Sequence, residues 1–378
     1  MKSDKTTPNV PTLRFAEFTD EWEKYELSHF VTRITRRNKN NESSLPLTIS
    51  AQYGLVDQIS FFNKTVASVD LSGYYLLYNG DFAYNKSYSN EYAWGAVKRL
   101  DKYEKGCLSS LYFVFRPNDN VDSDYLTHYF ESSKWHKGIS NIAGEGARNH
   151  GLLNMAVDDY FATKHYLPSL PEQKKIARIF NAITKRIEIQ NKIISKYETL
   201  IKGLCDMIFR HDKSASLSDL VKCKTSALQE NMVSTCRRGE YKVLGASGAI
   251  AVIDTYQFDE SGILVLKDGS KAGKIQFAQG KYSVIGTSVV LIPNEACDAR
   301  YLYFAMSSID FEKYKVGSGI PHIYFKDYSN ERIYYPEKAL RKKITKTLDF
   351  YETMVEIERK MLSAMQKQKA LLLQSMFI

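Results

Sequence analysis

Residues 159–209 read DYFATKHYLPSLPEQKKIARIFNAITKRIEIQNKIISKYETLIKGLCDMIF, and residues 327–377 read DYSNERIYYPEKALRKKITKTLDFYETMVEIERKMLSAMQKQKALLLQSMF. The two stretches align without a gap at an offset of 168: Asp159 and Tyr160 meet Asp327 and Tyr328, and Pro168 meets Pro336. The run Lys174, Lys175, Ile176 meets Lys342, Lys343, Ile344, then Glu188 and Ile189 meet Glu356 and Ile357, and Phe209 meets Phe377. A second echo opens each half, where LSHFVTRIT from Leu27 matches LSDLVKCKT from Leu217 at an offset of 190. The chain is therefore a tandem repeat. Because the two offsets differ by 22, its first variable part is that much longer.

Each repeated stretch reads as one long helix. Ser169 and Glu172 stand at capping-box spacing around Pro171 at the start of the first, and Pro336 precedes the second. In the first, Ile176, Phe180, Ile183, Ile187, Ile194, Tyr197, Ile201, Leu204 and Ile208 recur in a 4-3 alternation broken at Gln190. In the second, Ile344, Leu348, Tyr351, Val355, Leu362, Met365, Leu372 and Met376 hold the same register, broken at Glu358 and Lys369. A surface helix on an unrelated domain carries a broader stripe, so this narrow heptad seam predicts that the two helices pack on each other. A helix of 40 residues from Leu170 to Phe209 is about 60 Å long. The order domain, helix, domain, helix closes on itself only if the helices run antiparallel with the domains at opposite ends, and that arrangement is expected. The expected segments are 1–167 and 214–335 as variable domains, with 168–213 and 336–378 as helical spacers.

Within the variable domains, short apolar runs such as SLYFVFRP, GILVLKDG and SVVLIP are separated by Gly, Asn, Asp and Pro, the signals of strands and turns. Helical stretches such as SDYLTHYFESSKWHKGI flank them. Each half thus reads as α+β with a mainly antiparallel, barrel-like sheet. The chain carries a net charge of +9, and its distribution is informative: −1 over 1–170, +5 over 171–213, +1 over 214–336 and +4 over 337–378. The whole excess sits on the two helices, where Lys174, Lys175, Arg178, Lys185, Arg186, Lys342, Lys343 and Lys346 form either a solvated face or a surface for phosphates or an acidic partner.

No chemical site is legible. The five cysteines (Cys107, Cys205, Cys223, Cys236, Cys297) have no CxxC or Cys/His spacing, so reduced thiols and no metal are expected. An amino-methyltransferase needs an acid or amide beside Pro-Pro-aromatic and a Gly-rich cofactor turn, and neither is present. GEGARNHG at Gly144 and GSG at Gly317 follow polar loops rather than buried strands. DGSKAGKI, from Asp268 to Ile275, lacks the spacing and the Ser/Thr of a phosphate loop. No catalytic residue is assigned. No apolar run of spanning length and no signal peptide is present, which points to the cytoplasm.

Groove readout needs Arg, Lys, Asn, Gln and small polar groups, and four clusters supply them. Arg33, Arg36, Arg37 and Lys39 lie in a stretch without acids. Tyr84, Asn85, Lys86, Ser87 and Tyr88 form a polar aromatic hairpin after YYLLYNG. Lys267, Ser270, Lys271 and Lys274, in LKDGSKAGK, are the matching stretch of the second half. Arg148 and Asn149 precede the first long helix.

Four stretches together, LRFAEFTDEWEKYEL, GDFAYNKSYS with GAVKR, GEGARNHGLLN and LPSLPEQKKIARIF, resemble the specificity subunit of Type I restriction-modification systems, with fainter counterparts in GSGIPHIYFKDY and YYPEKALRKKI. The resemblance covers nearly the whole chain. It implies two target recognition domains that each read half of a bipartite double-stranded DNA site, with helices that set the spacer. It also implies two modification subunits that methylate adenine with S-adenosylmethionine, and restriction subunits that use ATP and Mg; this chain itself would hold no cofactor. A coiled-coil scaffold that binds DNA without reading it, and a cryptic nuclease, are the competing classes.

Overall fold

The computed structural model describes residues 9–64, 66–89, 92–143, 151–210, 214–233, 235–236, 238–295, 298–317 and 319–378. Arg148 and Asn149 lie outside them. The chain divides into two compact units, one running up to Ile189 and including Met361–Ile378, the other Gln190–Lys360. The helical segments read from sequence as separate spacers are thus shared: each long helix contributes one part to each unit.

In the first unit, Glu23–Glu26 pairs antiparallel with Lys164–Leu167. A four-stranded antiparallel sheet follows in the order Val31–Arg33, Phe113–Pro117, Phe82–Asn85, Ala96–Arg99. One face of this sheet packs on the helix Ser123–Glu131 and the start of the first long helix, through Phe30, Phe82, Tyr84, Phe115, Tyr125 and Phe180. The other face packs on hairpin strands through Leu47, Leu55, Leu77, Ala83 and Val114. That split follows from the strand period of two: Phe82 and Tyr84 point one way, Ala83 the other. Each fully buried aromatic ring contributes about 2–3 kcal/mol.

The second unit repeats the plan. Ala215–Ser216 pairs with Arg332–Ile333. A four-stranded antiparallel sheet runs in the order Val221–Thr225, Ser288–Pro293, Gly262–Leu266, Ile275–Ala278. A three-stranded sheet beside it includes one parallel pair, Tyr241–Gly245 with Tyr282–Val284, so the sheets are mainly rather than wholly antiparallel. Equivalence extends to single hydrogen bonds. Asn118 Nδ2 donates to the His29 carbonyl at 3.0 Å, and Asn294 Nδ2 to the Asp219 carbonyl at 2.8 Å. Gln173 Nε2 donates to the Pro168 carbonyl at 2.9 Å, and Arg341 Nη1, at the equivalent place, to the Pro336 carbonyl at 2.7 Å.

The long helices are Leu170–Phe209, of 40 residues, and Lys338–Ser375, of 38. Within each unit their parts run antiparallel. In the first, Phe180 lies 5.6 Å from Phe377 and Thr184 Oγ1 accepts from Lys369 Nζ at 2.9 Å. In the second, Tyr197 lies 6.5 Å from Tyr351 and Arg359 Nη2 bonds Glu198 Oε1 at 2.6 Å. The predicted seam is the face they bury: Ile176, Phe180, Ile194, Ile344, Leu348 and Val355 are buried. Ile183, Ile187, Ile201, Leu204, Leu362 and Leu372 are half-buried. The end of each repeat closes a core, with Phe377 at 0% exposure in the first unit and Phe209 at 2% in the second. The capping box is corrected: the Glu172 carboxylate accepts from Arg14 Nε and Nη2, both at 2.8 Å, and is buried there. Among the described residues no helix is long and apolar enough to cross a membrane.

Candidate nucleic-acid interface

Two equivalent hairpins carry the surface that chemistry favours for DNA. In the first unit the strand Phe82–Asn85 turns through Lys86, Ser87 and Tyr88 toward Ala96–Arg99. In the second, Gly262–Leu266 turns through Lys267–Lys274 toward Ile275–Ala278. Each turn is held by a short segment that lies just before the helical repeat and adds to its edge. The Leu153 amide donates to the Lys86 carbonyl at 3.0 Å and the Tyr88 amide to the Gly151 carbonyl at 3.0 Å. In the same pattern the Ile323 amide donates to the Lys267 carbonyl at 2.9 Å and the Gly269 amide to the Pro321 carbonyl at 2.9 Å. Lys86 and Lys267 are thus equivalent, and backbone bonding on both sides fixes where each is presented.

The two turns differ where specificity would reside. In the first, the Asn85 side chain accepts from the Ser87 amide at 2.9 Å, and the Lys86 ammonium lies 4.8 Å from the Phe113 ring centroid. Ser87 and Tyr88 are exposed. In the second, Gly269 (φ +89°) and Gly273 (φ +90°) occupy left-handed conformations that a side chain would strain, and Ser270, Lys271 and Lys274 are exposed. Lys274 Nζ reaches the Ala246 carbonyl at 3.4 Å. Across this turn His322 Nδ1 lies 2.7 Å from Asp268 Oδ1, with both side chains part-exposed. The sequence reading missed this pair, although His322 sits in GSGIPHIYFKDY and its alignment with GLLN was the available signal.

Two of the expected contacts are engaged within their own unit, and one of them is a correction. Tyr84 is buried at 0% exposure, stacks 4.7 Å from Tyr160 and donates from its hydroxyl to the Trp94 carbonyl at 2.9 Å. Burial drives its phenol far above the usual range. It is a core residue, because in Phe82–Asn85 it shares the inward face with Phe82. Arg36 is the second: its Nη2 pairs with Asp81 Oδ2 at 2.8 Å, its Nε donates to the Leu76 carbonyl at 3.0 Å, and its guanidinium lies 4.3 Å from the Tyr78 ring. The Asp81 side chain is fully buried and also pairs with Arg116 at 2.6 Å, so it would be left uncompensated without these cations. Arg37 donates to the Gly73 carbonyl at 2.7 Å and lies 4.2 Å from the Tyr75 ring. Arg33 lies 3.7 Å from Asp158, and Lys39 is exposed.

No group of three or more His, Cys, Asp or Glu among the described residues could hold a metal ion. What the two turns offer is positioned cations for phosphates and a changing set of small polar groups for base edges.

A family model described as the Type I restriction modification DNA specificity domain matches residues 20–199 and again residues 213–366. The Type I restriction enzyme MjaVIII specificity subunit of Methanocaldococcus jannaschii is 28% identical over 123 residues, 32% of this chain. That match spans 28% of the relative's own length. Among solved structures, the crystal structure of a Type-I restriction-modification system S subunit from M. genitalium superposes with a TM-score of 0.62 at 15% identity, over 98% of this chain and 99% of that one. A structure described as the structural basis of complex assembly and conformational transition of the type I R-M system superposes with a TM-score of 0.54 at 15% identity, over 95% and 98%. At such identities the two structures speak to the fold.

Proposed function

The chain belongs to the Type I restriction-modification DNA specificity family, and from that premise we propose that it reads a bipartite DNA target without itself cutting or modifying it. Each unit reads one half-site through its hairpin turn. Lys86 and Lys267 contact phosphates and fix register, while the neighbouring polar side chains meet base edges. The paired long helices set the separation of the half-sites and dock two modification subunits. Adenine methylation belongs to those partners with S-adenosylmethionine, and ATP- and Mg-dependent cleavage to restriction subunits; the complex works in the cytoplasm, where its DNA is.

One observation carries this reading. The same backbone bonds hold Lys86 and Lys267 in the two units, yet the side chains around them differ: Asn85, Ser87 and Tyr88 against Asp268, Ser270 and Lys271. A constant scaffold with variable side chains is what reading two different sequences requires. The experiment is to exchange residues 214–335 for those of a relative with another target, then map methylated adenines by single-molecule sequencing in cells carrying the cognate modification subunit. One half of the motif changes and the other stays. A change in both halves, or in neither, overturns the modular reading.

A further inference from the structure

The second unit contains a cavity of about 550 Å³ between its parts of the two long helices and the helix Ala299–Met306. Ile201, Phe304 and Val355 supply apolar wall, and Cys205 lies beside them. Around its rim stand Glu198, Asp206, Glu352 and Glu356, against Lys202 and Arg359. Glu352 is paired with Arg300 at 2.5 Å and Glu198 with Arg359 at 2.6 Å. Asp206 and Glu356 have no ion pair among the described residues.

The first unit shows what the equivalent space holds there. The two helices that floor it match in detail: Ser132 Oγ donates to the Tyr129 carbonyl at 2.6 Å, and Ser308 Oγ to the Ala305 carbonyl at 2.7 Å. By that alignment and the offset of 168, Ser307 stands for Glu131, Phe304 for His128, Glu352 for Thr184 and Ile201 for Lys369. In the first unit Lys369 stands at that place. Its ammonium lies 2.8 Å from Glu131 Oε2 and 2.9 Å from Thr184 Oγ1, and its side chain is 15% exposed. Burial pushes the Glu131 carboxyl up, but the hydrogen bond from His128 and the charge of Lys369 outweigh it and hold the carboxyl down at about 2. The second unit has Ile201 where that cation stands, and Ile201 lines the cavity.

We propose that this cavity receives a lysine or arginine side chain of a protein docked on the helices, namely the modification subunit of the reading above, on which this inference rests. The alkyl stem lies against Ile201, Phe304 and Val355, and the charged head meets Asp206 and Glu356. In the first unit Lys369 meets Glu131, whose counterpart here is Ser307, so the incoming head pairs instead with the two acids that have no ion pair of their own among the described residues. Of two docking positions, therefore, one depends on a cation from the partner.

Calorimetric titration of the full chain with its cognate modification subunit tests this. Two variants act by different routes. The double variant D206N/E356Q removes rim charge without touching the apolar wall, and I201K places in the cavity the lysine found at the equivalent place of the first unit. In each, one of the two binding events weakens at least tenfold while the other keeps its affinity, with circular dichroism and DNA half-site binding unchanged. Wild-type affinity in D206N/E356Q, or equal weakening of both events, overturns the cavity's role. A wild-type chain that binds no modification subunit overturns the specificity-subunit reading and this inference together; intact wild-type binding with unaffected variants overturns the cavity alone.

Discussion

Gln190 and Glu358 hold the same position in the two repeats and bond to each other: Gln190 Nε2 donates to the Glu358 backbone carbonyl at 3.1 Å and also to the Glu358 carboxylate. Gln190 is 5% exposed, so its amide needs the partner. In this antiparallel helix pair the two equivalent residues face each other. An amide and a carboxylate are complementary there; two carboxylates are not. Gln190→Glu is expected to lower stability by about 1–2 kcal/mol at pH 7. Two carboxylates sharing this site raise one carboxyl pKa above its unfolded value, so the lost stability returns as pH falls through the raised value. Thermal melts at pH 7 and pH 4 check this, and an equal loss at both would sink the like-charge explanation.

His165 is buried at 2% exposure, and burial lowers its pKa to about 4. Its tautomer follows from its neighbours. The Thr163 hydroxyl donates to the Tyr160 carbonyl at 2.7 Å, so at 2.8 Å from His165 Nε2 it accepts; Nδ1 then accepts from the Tyr129 hydroxyl, also at 2.8 Å. A histidine held neutral in the folded chain contributes stability above its unfolded value near pH 6.5, and that stability is lost as pH falls toward 4. A difference of that size corresponds to about 3 kcal/mol at most. Urea unfolding at pH 7, 5.5 and 4 is expected to show the decline in the wild type and a shallower one in His165→Leu. Parallel slopes would assign the acid sensitivity elsewhere.

The helices and the repeat were legible because heptad spacing and an ungapped offset are one-dimensional signals, and Ile176, Phe180, Ile344 and Leu348 are buried where the seam required. Tyr84 was misread because a strand shows its period of two only when its partners are known; its neighbour Asn85 alternates to the other face and is half-exposed. Arg36 also holds a buried partner, Asp81, 45 residues away, which no local reading could show. The capping-box spacing of Ser169 and Glu172 was overridden by Arg14, a contact across 158 residues. In each case a tertiary partner engages a residue whose local chemistry was read correctly.

Asp268 is a carboxylate in a turn that also carries Lys267, Lys271 and Lys274, and His322 holds it at 2.7 Å. Phosphates favour the cations and oppose the acid, whereas the amino group of cytosine or adenine favours the acid. Lys267→Ala is expected to weaken DNA binding about equally for all sequences and to reduce the salt dependence by about one phosphate contact. Asp268→Asn is expected to change preference at one position of one half-site, by about 1–3 kcal/mol. Competition binding over a randomised half-site separates the two variants. If Asp268→Asn only weakens binding uniformly, the carboxylate serves to tie His322 to the turn and reads no base.

Lengthening both long helices beside Gln190 and Glu358 tests the spacing role directly. Seven residues return a helix to nearly the same face, so a heptad added to each keeps the seam in phase, whereas five added residues turn it by about 140° and out of register. Seven residues add about 10 Å along the helix axis, and a base pair occupies about 3.4 Å of DNA, so the separation of the half-sites changes by a few base pairs. The heptad variant is expected to methylate a motif with both half-sites unchanged and a longer spacer, read by single-molecule sequencing of methylated adenines. The five-residue variant is expected to melt at lower temperature, because Ile194, Val355 and their neighbours leave the buried face. A heptad variant that methylates the wild-type motif with its spacer unchanged would mean that the helices join the two units without measuring the distance between their targets.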